Sequence, residues 1–153
     1  MWRTSVLCQD SPASRPRNAP RARFSVAVSR SASPASADTE RAIRYGVGVG
    51  RDGFQWGGVH RISRKSEWPD WTPPPEMIQR QPYLPRFMAG GPGNPMGARA
   101  MYIGSTVYRV HGTNAPETIG HSVSSGCFRL VNTEIEDLYE RVPVGTKIVV
   151  QHR

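Results

Sequence analysis

One cysteine and one histidine have the residue types and the surroundings that cysteine nucleophiles use. Cys127 directly follows Gly126 in the turn-forming run Ser-Ser-Gly-Cys, and His111 lies sixteen residues upstream at the end of a predicted strand. A nucleophilic thiol needs thiolate character, and a nearby imidazole lowers the thiol pKa from its ordinary value of about 8.5. Glycine beside the nucleophile allows backbone N–H groups to point inward and stabilise an oxyanion. We therefore consider acyl transfer by Cys127, with the amides of Ser125, Gly126 and Cys127 as oxyanion donors.

Spacing alone leaves other roles open for the same residues. A single cysteine followed by phenylalanine is more often a small buried hydrophobic side chain than a nucleophile. Zinc could be held by Cys127, His111 and His121, although the two histidines lack the short helix-face spacing typical of such sites. The case for a disulfide between Cys8 and Cys127 is weaker than the case for zinc, because Cys8 lies in a segment for which we predict disorder. We expect neither a bound metal nor a cofactor.

Length and composition exclude several classes of protein. A chain of 153 residues is sized for one domain, and its two cysteines are too few for a disulfide scaffold. No stretch approaches the 18 or more apolar residues of a membrane span, so we expect no integral membrane segment. The net charge is +8, and residues 1–44 supply most of it with eight arginines against three acidic residues. Because these arginines are scattered among few aromatic residues, we expect no binding to nucleic acid.

The first 41 residues form a predicted leader that is rich in Arg, Ser, Pro and Ala. Such a segment buries too little apolar surface to offset its chain entropy, so we predict that it is disordered or atypical. Its apolar run over residues 6–8 ends at Gln9, which is too short for a secretory signal. Within it, residues 24–28 alternate with period two and could be a first strand. The folded domain is predicted over residues 42–153.

Beyond the leader, short strands and one helix must position the candidate residues. A helix is predicted over residues 133–142, where apolar residues recur at helical spacing and where Thr133 and Glu136 match a capping box. Residues 68–95 hold eight of the fourteen prolines, yet the interleaved aromatic residues and methionines predict an ordered loop. The fold class is therefore mostly β, or α+β. Strands are predicted at residues 43–50, 59–63, 101–103, 107–110 and 147–150.

These motifs resemble those of a known family. The chain is similar to the L,D-transpeptidase catalytic domain of the YkuD type, a family of bacterial enzymes that cross-link peptidoglycan. The similarity rests on His111-Gly-Thr-Asn, Ser124-Ser-Gly-Cys127-Phe-Arg129-Leu and Asn132, with Tyr45-Gly-Val-Gly-Val-Gly50 and Asn94-Pro-Met-Gly97 upstream. It covers about residues 42–150. It implies a YkuD-like β-sandwich with one short helix after the catalytic cysteine and a long Pro-rich loop.

The resemblance also implies roles for the two central residues. Cys127 would attack the L-to-D peptide bond of a donor stem tetrapeptide and release its terminal D-alanine. His111 would act as its base and later exchange a proton with the acceptor amine. A backbone carbonyl such as that of Gly112, rather than an Asp, would hold the other ring nitrogen.

Further residues receive roles from the same resemblance. The backbone at Ser125, Gly126 and Gly112 would surround the oxyanion. Arg129 would hold a substrate carboxylate, with a structural salt bridge as the alternative role. Residues expected to line the site are Ser124, Thr113 and Asn114, and the tryptophans Trp56, Trp68 and Trp71 could wall the groove or pack in the core.

The partners and location follow from the family in the same way. Peptidoglycan stem peptides would be the substrates, carbapenem-type β-lactams would acylate the cysteine, and the enzyme would act in the periplasm or cell wall, in cell-wall biogenesis and cell shape. Two alternatives stay open. With water or a free D-amino acid as acceptor, the chain would be an L,D-carboxypeptidase or an exchange enzyme. It could also be an inactive wall-binding relative.

Overall fold

A computed structural model describes residues 2–9, 22–30, 41–54 and 56–150, the first two ranges and residues 41 and 42 by their backbone pairing. Most of these residues form short strands. The larger sheet is curled and has eight strands in the order β3-β2-β1-β10-β5-β6-β7-β9, and a two-stranded sheet pairs β4 with β8. The strands are β1 (Trp2–Gln9), β2 (Ala22–Arg30), β3 (Arg41–Val47), β4 (Val49–Gly50), β5 (Gly58–Glu67), β6 (Arg99–Ile103), β7 (Arg109–His111), β8 (Ser122–Ser124), β9 (Phe128–Arg129) and β10 (Lys147–Val150).

Two helices accompany the strands, α1 (Pro75–Arg80) and α2 (Asn132–Arg141), with one 3-10 turn at Pro116–Thr118. The mostly-β class with one helix of ten residues after Cys127 is therefore confirmed. In the part of the chain that the structure describes, neither helix is long and apolar enough to cross a lipid bilayer.

The predicted leader differs from the structure in two stretches. Residues 24–28 lie in β2, as the alternation indicates, and β1 lies between β2 and β10. β1 runs antiparallel to β2 over its whole length and parallel to β10 from Ser5 to Cys8. The prediction from composition considers only how much apolar surface a segment can bury. Strand β1, however, has a neighbouring strand on each side, and both supply backbone hydrogen-bond partners. β2 thus contains the strand that the alternation predicts, β1 is a strand in a stretch whose composition predicts disorder, and residues 10–21 and 31–40 lie outside the described residues.

The core lies where α2 packs on the strands that carry the candidate site. Apolar residues of α2 at i and i+3, Ile135 and Leu138, are fully buried, and Val142 continues the same face. They pack in one cluster with buried residues of β3, β5, β6, β7 and β10. Burial of each such side chain contributes about 1.5–3 kcal/mol. The predicted helical spacing is thus confirmed, one residue earlier at each end.

The predicted capping box does not form. The residue that caps α2 is Val131, without a side-chain hydrogen bond, and Thr133 lies inside the first turn. The side chain of Asn132 accepts two backbone hydrogen bonds from other segments instead, from the N–H groups of Ala98 (3.1 Å) and Thr113 (3.2 Å). Tertiary contacts have replaced the local cap.

The Pro-rich loop is ordered, as predicted. Trp71 and Met88 exchange two backbone hydrogen bonds of 2.8 Å, which close the loop on itself. The side-chain amide of Asn94 is buried and donates to the carbonyl oxygens of Met88 and Ala89, both at 3.0 Å. Helix α1 lies within this loop. The loop therefore forms a fixed wall rather than a linker.

Candidate active site

Strand pairing brings His111 and Cys127 to the same end of the sheet. β7 ends at His111, and β9 begins at Phe128, directly after Cys127. The two strands are parallel, with Val110 opposite Phe128 and His111 opposite Arg129. Both candidate residues line one cavity of about 260 Å³. The sixteen-residue separation in sequence is thus closed by one pair of neighbouring strands.

The imidazole of His111 is buried and fixed by the backbone. Its Nδ1 atom lies 2.7 Å from the carbonyl oxygen of Gly112. Since a carbonyl oxygen only accepts, we assign the proton to Nδ1, which leaves Nε2 as the basic nitrogen. Burial lowers the pKa of His111 to about 4, the charges of Arg129 and Arg109 act in the same direction, and the carbonyls of Gly112 and Met96 partly oppose them. The ring is therefore neutral at pH 7, oriented as expected by a backbone carbonyl.

The side chain of Cys127 is a free thiol in the same cavity. Burial raises its pKa, while a backbone hydrogen bond from Arg109 and the charges of Arg109 and Arg129 partly oppose this. At pH 7 the resting pair is thus a neutral thiol and a neutral imidazole. A thiol in this state would need a base to remove its proton before it could attack a carbonyl.

Hydrogen bonds within the turn fix the backbone around Cys127. The hydroxyl of Ser124 donates to the carbonyl oxygen of Cys127 (2.7 Å) and accepts from the N–H of Gly126 (3.2 Å). The indole N–H of Trp56 donates to the carbonyl oxygen of Gly126 (2.6 Å), and its ring stacks on Tyr108 at 4.3 Å. Trp56 therefore holds the turn from behind rather than walling the groove.

This arrangement corrects the predicted oxyanion donors. The N–H of Gly126 is used by Ser124, and the N–H of Gly112 donates to the carbonyl oxygen of Arg99 at 3.0 Å. Neither glycine is available as a donor, because a hydrogen bond inside the fold already occupies its N–H group. Among the described residues, the N–H groups of Ser125 and Cys127 have no acceptor, and both residues line the cavity. These two amides remain as the candidate donors.

Arginine side chains make the cavity strongly cationic. Its lining includes Arg51, Arg80, Arg109 and Arg129 and, among the described residues, no Asp or Glu. The Nε atoms of Arg109 and Arg129 and one terminal nitrogen of Arg129 are buried, and each lacks a hydrogen-bond partner in the described part of the chain. No described carboxylate lies within salt-bridge distance of Arg129, so its structural salt-bridge role is not supported. Half-buried guanidinium groups whose buried nitrogens lack a partner among the described residues favour an anionic ligand.

The other predicted residues divide into two groups. Ser124, Thr113, Asn114 and Trp71 line the cavity as expected. Trp68 and His121 are exposed and do not line it. Within the described ranges, no group of three or more His, Cys, Asp or Glu side chains could hold a metal ion.

Sequence reasoning missed the roles of several site residues. Arg109 lies two residues before His111, and the period-two geometry of strands would have placed it on the same face. Asn132 was noted only as part of the motif, because its two partners lie 34 and 19 residues away. Nothing in the local pattern marks Arg51 or Arg80.

The chain is similar to known proteins over most of its length. It matches the family model described as the L,D-transpeptidase catalytic domain, YkuD, over residues 24–150. It is 42% identical over 121 residues to the probable L,D-transpeptidase ErfK/SrfK of Escherichia coli K12, covering 74% of this chain and 38% of the relative. It is 41% identical over 122 residues to the probable L,D-transpeptidase YbiS of the same strain, covering 75% of this chain and 39% of the relative. The chain therefore spans less than half the length of these curated relatives.

A solved structure has the same fold. L,D-transpeptidase 3 from Mycobacterium tuberculosis superimposes with a TM-score of 0.65 at 17% identity, covering 97% of this chain and 61% of that chain. A second structure of that protein, in complex with a faropenem-derived adduct, superimposes with a TM-score of 0.63 at 16% identity, covering 97% and 60%. At these identities the likeness establishes the fold alone.

Proposed function

This chain belongs to the YkuD family of L,D-transpeptidase catalytic domains, and on that premise we propose that it cross-links peptidoglycan stem peptides through an acyl-enzyme on Cys127. The observation that carries the proposal is the joint placement of His111 and Cys127. Both residues line one cavity, and the Nδ1 atom of His111 is held by the carbonyl of Gly112. We assign Nε2, the nitrogen that does not contact Gly112, as the base for the thiol.

The first half of the reaction forms the acyl-enzyme. His111 Nε2 takes the thiol proton as Cys127 Sγ attacks the carbonyl carbon of the L-to-D peptide bond in the donor tetrapeptide. The negative charge on the carbonyl oxygen is stabilised by the N–H groups of Ser125 and Cys127. The C–N bond then breaks, His111 returns the proton to the leaving nitrogen, and D-alanine departs. A thioester links the tripeptide to Cys127.

The second half transfers the tripeptide to an acceptor. The acceptor amine attacks the thioester carbonyl and loses a proton to His111 Nε2. The C–S bond breaks, sulfur leaves as thiolate, and His111 returns the proton to it. The products are a cross-linked peptide and the original neutral thiol–imidazole pair.

The cationic lining supports binding of a carboxylate near the reacting atoms. Arg129 and Arg109 both act electrostatically on His111 and Cys127, so both guanidinium groups lie close to the reacting pair. The C-terminal carboxylate of the donor is one residue from the bond to be broken. We assign it to Arg129, whose buried nitrogens lack a partner among the described residues.

β-Lactams test the nucleophile directly. Attack of Cys127 on a β-lactam carbonyl opens the ring and leaves a thioester adduct with the whole mass of the drug. We expect intact-protein mass spectrometry to detect one imipenem adduct on the wild-type protein and none on Cys127→Ala. Absence of an adduct on the wild-type protein would refute the assignment of the nucleophile.

The base is tested by the rate of the same reaction. We expect His111→Gln to slow acylation about 100-fold or more, which is the usual contribution of a general base. His121→Gln is the matched control, because His121 is exposed and lies outside the cavity lining. If both variants react as fast as the wild-type protein, His111 is not the base.

Muropeptide analysis distinguishes the acceptors. With purified peptidoglycan fragments, the proposed reaction yields dimers, an L,D-carboxypeptidase yields tripeptides alone, and an exchange enzyme yields tetrapeptides with a new D-amino acid. We expect dimers that depend on Cys127. Because peptidoglycan lies outside the cytoplasmic membrane, we place the active enzyme in the periplasm or cell wall.

A further inference from the structure

A second pair of arginines stands at the cavity in addition to Arg109 and Arg129. Arg51 and Arg80 line the same cavity, and both guanidinium groups lie over the ring of Phe54, with their central carbons 4.6 and 5.3 Å from its centroid. Two cations on one ring repel each other, and the ring face alone contributes only about 0.5–2 kcal/mol per cation. An anionic ligand bound by both guanidinium groups would offset this repulsion.

Two different segments of the fold carry these two arginines. The N–H of Arg51 donates to the carbonyl oxygen of Ser124 (3.0 Å), and the N–H of Phe54 donates to the carbonyl oxygen of Arg51 (2.9 Å). Arg51 is thus tied to the start of the turn that carries Cys127. Arg80 ends α1 in the Pro-rich wall. The pair therefore combines one arginine beside the turn that carries Cys127 with one from the Pro-rich loop, and both line the same cavity.

Acidic residues lie close in sequence to Arg51 and Arg80, but they do not form salt bridges with them. Glu76 and Arg80 have the i, i+4 spacing that favours an ion pair on a helix, and Asp52 directly follows Arg51. Within the described residues, however, neither arginine forms a salt bridge, and neither acid lines the cavity. Both guanidinium groups therefore keep their donors for a ligand.

We propose that Arg51 and Arg80 form a second carboxylate subsite, which selects peptides that carry a free side-chain carboxylate over peptides in which it is amidated. The inference rests on the proposed function for the identity of the peptide. Arg129 takes the carboxylate nearest the reacting bond, and the pair on Phe54 takes one farther along the same peptide or on the acceptor. An amide has no charge and only one acceptor oxygen, so it cannot form the bidentate, charge-assisted hydrogen bonds that a carboxylate forms with guanidinium.

Binding to an inactive protein tests the subsite without turnover. The probes are a stem tetrapeptide with free side-chain carboxylates and the same peptide with these carboxylates amidated, both with a free C-terminus. In isothermal titration with Cys127→Ala, we expect the free form to bind about tenfold or more tightly. Adding Arg51→Gln and Arg80→Gln should reduce that preference to about twofold or less, with affinity for the amidated peptide nearly unchanged.

Arg86→Gln is the matched control. Arg86 is an exposed arginine of the same Pro-rich loop and does not line the cavity, so its replacement removes one positive charge, as each of the two Arg→Gln changes does. It should retain the full preference. Equal affinities for the two peptides, or an equal loss of preference in Arg86→Gln, would overturn the subsite. Because this measurement uses no catalysis, it stands apart from the imipenem and muropeptide tests of the proposed function.

Kinetics on the active protein locate the carboxylate. Formation of the acyl-enzyme uses the donor alone. If kcat/KM for that step favours the free-carboxylate peptide through a lower KM, and the two Arg→Gln changes remove the preference, the subsite binds the donor. Selectivity that appears only when the acyl group is transferred assigns it to the acceptor. If both steps proceed and neither step distinguishes the two peptides, the proposal is overturned.

Discussion

At Cys127 and His111, burial sets the charge of both groups. The same desolvation that lowers the pKa of His111 to about 4 raises the pKa of the Cys127 thiol. Arg109 and Arg129 reinforce the first effect and oppose the second, because a positive charge disfavours imidazolium and favours thiolate. The resting pair is neutral, so in the proposed mechanism the proton moves from Cys127 to His111 during attack.

The low pKa of His111 predicts an unusual pH dependence. The neutral imidazole persists down to about pH 4, so the rate constant for imipenem acylation should change little between about pH 7.5 and 5, and should fall towards pH 4. An imidazole with the ordinary pKa of about 6.5 would reduce the rate about thirtyfold at pH 5. Stopped-flow measurement of the acylation rate constant across this pH range distinguishes a His111 pKa of about 4 from the ordinary value. A half-maximal rate near pH 6.5 would contradict the buried, neutral histidine.

At the scale of elements, the turn after β8 carries Cys127, and the start of α2 contacts the segment that follows His111. Gly126 has φ +105°, and a Cβ there would lie 2.4 Å from the ring of Tyr108. The turn thus needs glycine for its conformation and for the space that Tyr108 occupies. The side chain of Asn132 serves the other residue, since it binds the backbone at Thr113, next to the carbonyl that orients His111.

Comparison of Gly126→Ala with Gly145→Ala should distinguish the cost of the positive φ from the cost of the contact with Tyr108. Gly145 also has positive φ (+88°), but a Cβ at that position would have no atom of the described residues within 4 Å. Gly145→Ala should therefore lose only about 1 kcal/mol from backbone strain. Gly126→Ala should lose at least about 2 kcal/mol, because overpacking adds about 1–3 kcal/mol, and acylation should slow. Urea unfolding measures both, and equal losses would show that Tyr108 does not constrain the turn.

Replacement of Asn132 should destabilise the segment that carries His111. In Asn132→Ala the buried N–H groups of Ala98 and Thr113 lose their acceptor, and an unsatisfied buried donor costs about 1–3 kcal/mol. We expect a loss of at least about 2 kcal/mol in the free energy of unfolding. Asn132→Asp keeps an acceptor oxygen at the same place and should recover most of it. If the two variants are equally destabilised, the acceptor role is wrong.

For the whole molecule, β1 joins two parts of the larger sheet. It pairs with β2 on one side and with β10 on the other, so the β2–β3 pair reaches β10 through it. β10 in turn pairs with β5, whose neighbours lead to β7 and β9. Stability of the site and integrity of the amino-terminal strands are therefore linked.

Deletion of residues 1–21 tests this link. The change removes β1 and leaves the facing edges of β2 and β10 unpaired. Each backbone hydrogen bond contributes about 1 kcal/mol net, so we expect the free energy of unfolding to fall by about 3 kcal/mol or more. Urea unfolding of the deleted and full chains gives the difference. An unchanged midpoint would instead support a disordered leader and a domain that begins near residue 42.

The sequence alone predicted the candidate pair that lines one cavity, the mostly-β class, the ordered Pro-rich loop and the helix after Cys127. Each depends on local chemistry: glycine next to cysteine, period-two and helical spacing, and aromatic residues among prolines. The strand at residues 24–28 was visible for the same reason. Strand β1 was not, because its composition gives no sign of the two neighbours that supply its hydrogen bonds.

Tertiary structure decided which atoms remain free to act. Gly126 and Gly112 are correctly placed in sequence, yet Ser124 and Arg99 already occupy their N–H groups. The four arginines are scattered from Arg51 to Arg129, and only the pairing of β7 with β9 and the path of the Pro-rich loop gather them at one cavity. Hydrogen-bond partners and charge clusters depend on contacts between distant segments, and these contacts exist only in the folded chain.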